Sequence, residues 1–159
     1  MRHPGVSMLM SDEFREEMLM SLSGVWYNQL NSRMTLEDDG KGGLSGRYSS
    51  GVGECPTGCE CSLIGSYDTS PSGAIAVGFV VAWSTEFASG SSVTAWSGQY
   101  DPDRSMIIAT WLLTGQGVGQ LTWNSTLVGQ DWFSRDPHAE DIVHRYFGRG
   151  AASHPMPTS

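Results

Sequence analysis

Met106-Ile107-Ile108-Ala109-Thr110-Trp111-Leu112-Leu113-Thr114 alternates along its whole length. Ile107, Ala109, Trp111 and Leu113 fall on one face; Ile108, Thr110 and Leu112 fall on the other. A period of two is the signature of a strand, because successive side chains point to opposite sides of the pleat. Both faces are largely apolar. One of them must cover a core, and the other would be wet in a lone sheet. The second face therefore predicts a contact between subunits.

Working outward, the same period recurs. Gly24–Gln29, Arg33–Glu37, Leu44–Ser50, Ser62–Asp68, Ala74–Ser84, Ser91–Tyr100, Met106–Thr114 and Leu121–Trp132 each read as strands. Turn-forming residues separate several of them: Asp38-Asp39-Gly40-Lys41-Gly42-Gly43, Ser70-Pro71-Ser72-Gly73, Asp101-Pro102-Asp103 and Gly115-Gln116-Gly117. Eight short strands at regular spacing predict an all-β fold, an eight-stranded antiparallel up-and-down β-barrel. Closure removes the exposed edges that an open sheet would carry.

Composition agrees. The 159 residues suit one domain, and 20 glycines with only 16% charged residues suit strands and tight turns. Six tryptophans each bring an N–H that wants a partner, which points to a ligand or an interface. The net charge is −8 with nine Lys+Arg, so there is no basic stripe for nucleic acid or for an anionic membrane. The longest apolar stretch, Ala74–Trp83, is broken by glycine and too short to span a bilayer as a helix.

The termini read differently. Residues 1–22 form an N-terminal extension in which Met8–Leu22 has helical spacing, as a short appended helix or a frayed tail, with Ser11 as an N-cap. Asp12, Glu13, Arg15, Glu16 and Glu17 interrupt any secretory apolar core, so an intracellular protein is favoured slightly over a secreted one whose leader has been removed. The barrel domain covers 23–135. In 136–159, Pro137–Phe147 predicts a short helix and the rest a flexible tail.

Cys55, Cys59 and Cys61 lie within seven residues. They lack the second ligand pair of a zinc knuckle, so no metal site is expected. A loop disulfide, Cys55 with Cys61 or with Cys59, and three free thiols are the alternatives. The histidines, His3, His138, His144 and His154, are dispersed and have no ligand spacing.

Gly24-Val25-Trp26-Tyr27-Asn28-Gln29-Leu30, Trp96-Ser97-Gly98-Gln99-Tyr100, Trp111-Leu112-Leu113-Thr114 and Ser125-Thr126-Leu127-Val128-Gly129-Gln130-Asp131 resemble, in order, sequence blocks of the avidin/streptavidin family. The step from Trp83 to Trp96 matches as well, and the similarity runs from Ser23 to Phe133. The resemblance implies a streptavidin-like barrel that binds biotin without catalysis. Beyond biotin as bound ligand, no cofactor is implied.

It also implies a role for each matching residue. Asn28, Ser32 and Tyr48 would donate to the ureido oxygen, and Asp131 and Ser50 would accept from the ureido N–H groups. Trp83, Trp96 and Trp111 would wall the fused ring, with Leu30 and Leu113 filling gaps and Thr94 against the thioether. Ser92 and the backbone N–H of Glu54 would receive the carboxylate tail, with Val52 and Gly90 also at ligand-binding positions. The Glu54 side chain is expected to face water, away from the ligand's charge. Trp123 stands where the family supplies a lid across a subunit interface, which favours a homotetramer over a dimer. The implied biological role is biotin sequestration.

Blander readings of the same residues exist. Asn28 and Ser32 flank Leu30-Asn31 and could cap a turn; Asp131 could be a turn residue; Tyr48 and the tryptophans could be core. Three rival functions follow: a lipocalin-like carrier, an enzyme using Asp131 beside Tyr48, and an assembly protein whose pocket is vestigial or holds its own tail, Ala151–Ser159. The first predicts an apolar interior, against the polar set above. The second lacks a partner base or nucleophile in the strands.

Overall fold

The computed structural model describes residues 21–51, 59–83, 91–115 and 126–138. Its strands are β1 (Gly24–Tyr27), β2 (Arg33–Asp38), β3 (Gly43–Ser49), β4 (Cys61–Thr69), β5 (Ile75–Trp83), β6 (Ser92–Asp101), β7 (Met106–Gly115) and β8 (Thr126–Phe133). They form one antiparallel sheet in sequence order. No helix occurs among the described residues. The expected short helices, and most of both terminal extensions, lie outside them.

Among the described residues the boundaries follow the expected ones closely, with one informative departure; the expected start of the last strand, Leu121 to Ser125, lies outside them. The first strand ends at Tyr27, not Gln29. Asn28 leaves the ladder to start a turn in which Asn31 adopts a left-handed backbone, φ 58°, and its N–H bonds the Asn28 carbonyl at 2.9 Å. Asparagine is among the few non-glycine residues that tolerate that region.

The interior is the predicted one. In β7, Ile107, Ala109, Trp111 and Leu113 are buried. They join Trp26, Met34, Leu36, Leu63, Val77, Phe79, Val81, Trp96 and Phe133 in one continuous core. The outer face of β7 carries Ile108 and Leu112, Leu112 half exposed at 50%. Register extends that outer surface into a row across five strands: Ile64 opposite Val80, Val80 opposite Ala95, Ala95 opposite Leu112, and Leu112 opposite Val128. Ile64 and Val128 are 69% and 65% exposed. An apolar row of this kind on a sheet that already has a core on its other face marks an interaction surface.

The sheet curls until its ends meet, but the meeting is brief. Tyr27 and Ser134 exchange two backbone hydrogen bonds, at 2.8 and 2.9 Å. Beyond that bridge, side chains take over. The Gln29 carboxamide donates to the Gln130 carbonyl at 3.0 Å and accepts from the Trp132 N–H at 3.2 Å, as a neighbouring strand's peptide would. Arg135 donates to the carbonyls of Ser23 and Ser21 at 2.9 and 2.8 Å, and its guanidinium lies 3.6 Å above the Trp26 ring.

Candidate binding site inside the barrel

Asn28 organises the polar end of the interior. It is fully buried, and its Oδ1 accepts the backbone N–H groups of Leu30 at 3.0 Å and Ser32 at 2.8 Å. Capping the turn fixes the amide orientation, because only the oxygen can accept from two backbone donors. The Nδ2 end must then face the interior. There it lies 3.5 Å from the Tyr48 hydroxyl and 3.4 Å from Asp131 Oδ1. Both distances are at the long end for N–H···O bonds. Asn28 Nδ2 thus reaches both the Tyr48 hydroxyl and the Asp131 carboxylate.

Asp131 is equally buried, on the inward face of β8. Its Oδ2 accepts from Trp96 Nε1 at 2.8 Å, and its Oδ1 from Gln29 Nε2 at 3.1 Å. A buried carboxylate needs such donors to offset its lost hydration. Tyr48 is raised well above its ordinary pKa, first by burial and then by the charge of Asp131, with a hydrogen bond to Ser32 acting the other way. Its phenol therefore stays protonated and can donate at neutral pH. Ser32 is buried, and its Oγ accepts from the Gly51 N–H at 3.0 Å, joining the turn to the segment after β3.

Aromatic rings line the interior. Trp96 is stacked between Tyr48, at 5.3 Å and 24°, and Phe79, at 5.0 Å and 20°. Trp83 meets Tyr48 edge-on at 5.8 Å, and its Nε1 donates to Thr94 Oγ1 at 2.8 Å. Trp111 stands opposite Trp96 in the ladder. Its indole packs flat on Gly129, where a Cβ would fall within 2.3 Å of the ring, so any other residue there would drive the indole inward. Trp111 Nε1 is buried with no hydrogen-bond partner among the described residues.

Of the sequence-derived site residues, Asn28, Ser32, Tyr48 and Asp131 thus come together, with Trp83, Thr94 and Trp96 around them. Leu30 and Leu113 are buried, Ser50 follows β3 half-buried, and Ser92 faces Trp83 across the β5–β6 ladder. Val52, Glu54, Gly90 and Trp123 lie outside the described residues.

A family model for the avidin family matches residues 16–136, well over half of the chain. The chain belongs to the avidin family. This is a family of non-enzymatic proteins that bind biotin, and the eight-stranded barrel is the architecture that the resemblance implies. Membership is carried by the same region that supplies β1 to β8.

Three participants had escaped the sequence reading. Gln29 lies within the family-like stretch Gly24–Leu30 with no implied role, yet it bonds Asp131 and helps to close the barrel. Phe79 and Phe133 complete the ring cluster around Trp96, with centroids 5.9 Å apart. Phe79 had a readable signal, its inward position in the alternation of β5. Gln29 had none, since its partners lie 101 to 103 residues away.

The cysteines resolve in part. Cys59 is disulfide-bonded and Cys61 is a buried free thiol, so the Cys55–Cys61 pairing and the three-free-thiols alternative are both excluded. Cys61 opens β4 with its side chain inward, where the strand's alternation holds it in the core. Cys55 lies outside the described residues.

Proposed function

We propose that this chain binds biotin inside its barrel through Asn28, Ser32, Tyr48, Ser50 and Asp131 at the ureido end. Trp83, Trp96 and Trp111 pack the ring system there. The observation that carries this reading is the orientation of Asn28. Its oxygen is committed to the turn, so its Nδ2 is aimed into the interior, at Tyr48 and Asp131. The donors and acceptors gathered here match a planar group with one acceptor and flanking N–H donors. Its oxygen would take the Asn28, Tyr48 and Ser32 donors, and its N–H groups would face Asp131 and Ser50. Such a prearranged set binds a urea without reorganisation cost.

The remaining expectations complete the same reading. Leu30, Leu113 and Thr94 pack the bicycle, while Ser92, Val52, Glu54 and Gly90 receive the tail. Trp123 caps the pocket of a neighbouring subunit in a homotetramer, and the biological role is biotin sequestration. The outer apolar row through Val80, Leu112 and Val128 supports self-association. Leu112→Lys is expected to shift the assembly to smaller species in sedimentation without loss of the barrel.

Titration of the purified protein with biotin, followed by tryptophan fluorescence and calorimetry, tests the central claim. Quenching with a saturable heat is expected. A folded barrel giving neither signal would refute it. Trp123→Lys should weaken binding and loosen the assembly together, and an effect on neither would remove the shared lid.

A further inference from the structure

The turn that carries Asn28, Leu30 and Ser32 is held from outside the barrel by a contact with no part in the ligand set. The Asn31 carboxamide makes two hydrogen bonds to the backbone of one residue: Nδ2 donates to the His138 carbonyl at 2.9 Å, and Oδ1 accepts the His138 N–H at 2.7 Å. The first has the usual length of an amide bond and the second lies at the short end, and both are partly shielded from water. His138 reaches this position because the chain doubles back after Ser134, bringing its ring to 6.0 Å from that of Trp132 on β8. On its other side the turn meets Gly51 so closely that a Cβ there would lie 2.4 Å from the Leu30 carbonyl oxygen and 2.8 Å from Ser32 N. The turn is therefore gripped between the root of the segment after β3 and the returning chain after β8.

We propose that Asn31 is a positioning residue for the ligand: its clasp on His138 holds the Asn28–Ser32 turn in the donor arrangement and thereby slows ligand release. The inference rests on the biotin reading, but its physical core does not need a ligand. Asn28 receives the Leu30 and Ser32 N–H groups only while the turn keeps its shape, and those two bonds aim Nδ2 inward. Residue 31 has left-handed backbone geometry, so a glycine there keeps the turn sterically at ease while deleting the carboxamide. That separates the clasp from backbone strain.

The test uses the full chain with Asn31→Gly, His138→Pro and His138→Ala. His138→Pro removes the backbone N–H that Asn31 accepts; His138→Ala keeps both backbone groups. The release rate is read by chasing fluorescein-labelled biotin with excess unlabelled biotin. Losing both neutral hydrogen bonds should speed release by about tenfold in Asn31→Gly, and losing one of them should speed it by about threefold in His138→Pro. The association rate should stay as in the wild type, and His138→Ala should release at the wild-type rate. An Asn31→Gly release rate within about twofold of wild type would overturn the proposal, as would a large effect of His138→Ala, which would move the role to the imidazole. Amide exchange in the ligand-free protein gives an independent reading. The Leu30 and Ser32 amides should exchange faster in Asn31→Gly while the β6–β7 ladder keeps its protection; unchanged exchange, or acceleration across the whole sheet, counts against it. Should wild-type protein take up no biotin, the biotin reading fails alone, and the exchange result decides the clasp.

Discussion

The two sides of the barrel are held by different means. From β5 to β7 the strands run nine or ten residues, paired by continuous ladders of main-chain hydrogen bonds. Where β8 meets β1, one residue pair makes the ladder, and a glutamine, an asparagine and an arginine do the rest. The rings Trp83, Trp96 and Trp111 stand on the first side. Asn28, Gln29 and Asp131 stand on the second. Main-chain ladders present side chains at fixed intervals and suit flat apolar walls. A seam made by side chains lets a carboxylate and two amides be buried together with donors and acceptors matched, which a regular ladder would not supply. The seam in turn depends on a few residues.

The largest expected effect falls on the ladder side. Phe79→Ala should cost about 3–5 kcal/mol of unfolding free energy in denaturant titration, since the ring is buried and stacked on Trp96. A loss under about 1 kcal/mol would mean that the ring stack contributes little and that the ladders alone hold this side.

Gln29→Ala should cost less, about 1–3 kcal/mol. It leaves the Gln130 carbonyl and Trp132 N–H to water or to nothing, and removes one donor from Asp131. Amide exchange sharpens the comparison: Trp132 should lose protection while the β6 amides paired with β7 keep theirs. Equal loss on both sides would show that the barrel opens as one unit and that the seam is no weaker than the ladders. Gln29→Glu should be worse than alanine, because a second carboxylate would face Asp131 at close range.

The same contrast explains what could be read from the sequence. The ladder side was legible almost to the residue, because a period of two and turn-forming residues are local signals. The inward and outward faces of β7 came out as read, including the exposed apolar one. On the seam side, the sequence offered Asn28 as either a turn cap or a ligand donor. The residue does the first with Oδ1, which turns Nδ2 toward Tyr48 and Asp131. Gln29 and Asn31 were silent, since pairings across a hundred residues leave no periodicity. Ring placement followed from strand faces; hydrogen-bond partners across the closure did not.

The smallest effect is a pH dependence at the seam. Burial lowers the His138 pKa below its ordinary 6.5, because the charged imidazolium is poorly solvated there. Near pH 6 the unfolded chain therefore binds more protons than the folded one, so stability is fully present above about 6.5 and declines as pH falls through the folded value. The Ser134 hydroxyl donates its single hydrogen to the Asp136 carbonyl at 2.9 Å, so the 3.4 Å contact with His138 Nε2 places a hydrogen on that nitrogen. Protonation then occurs at Nδ1 and leaves both this contact and the backbone clasp with Asn31 intact. Only desolvation acts, and solvent screening keeps it to about a degree of Tm. Wild type and His138→Gln, compared by thermal melts between pH 5.5 and 8, should diverge by that amount only at the acid end. A divergence of several degrees would mean that the charge itself opens the seam.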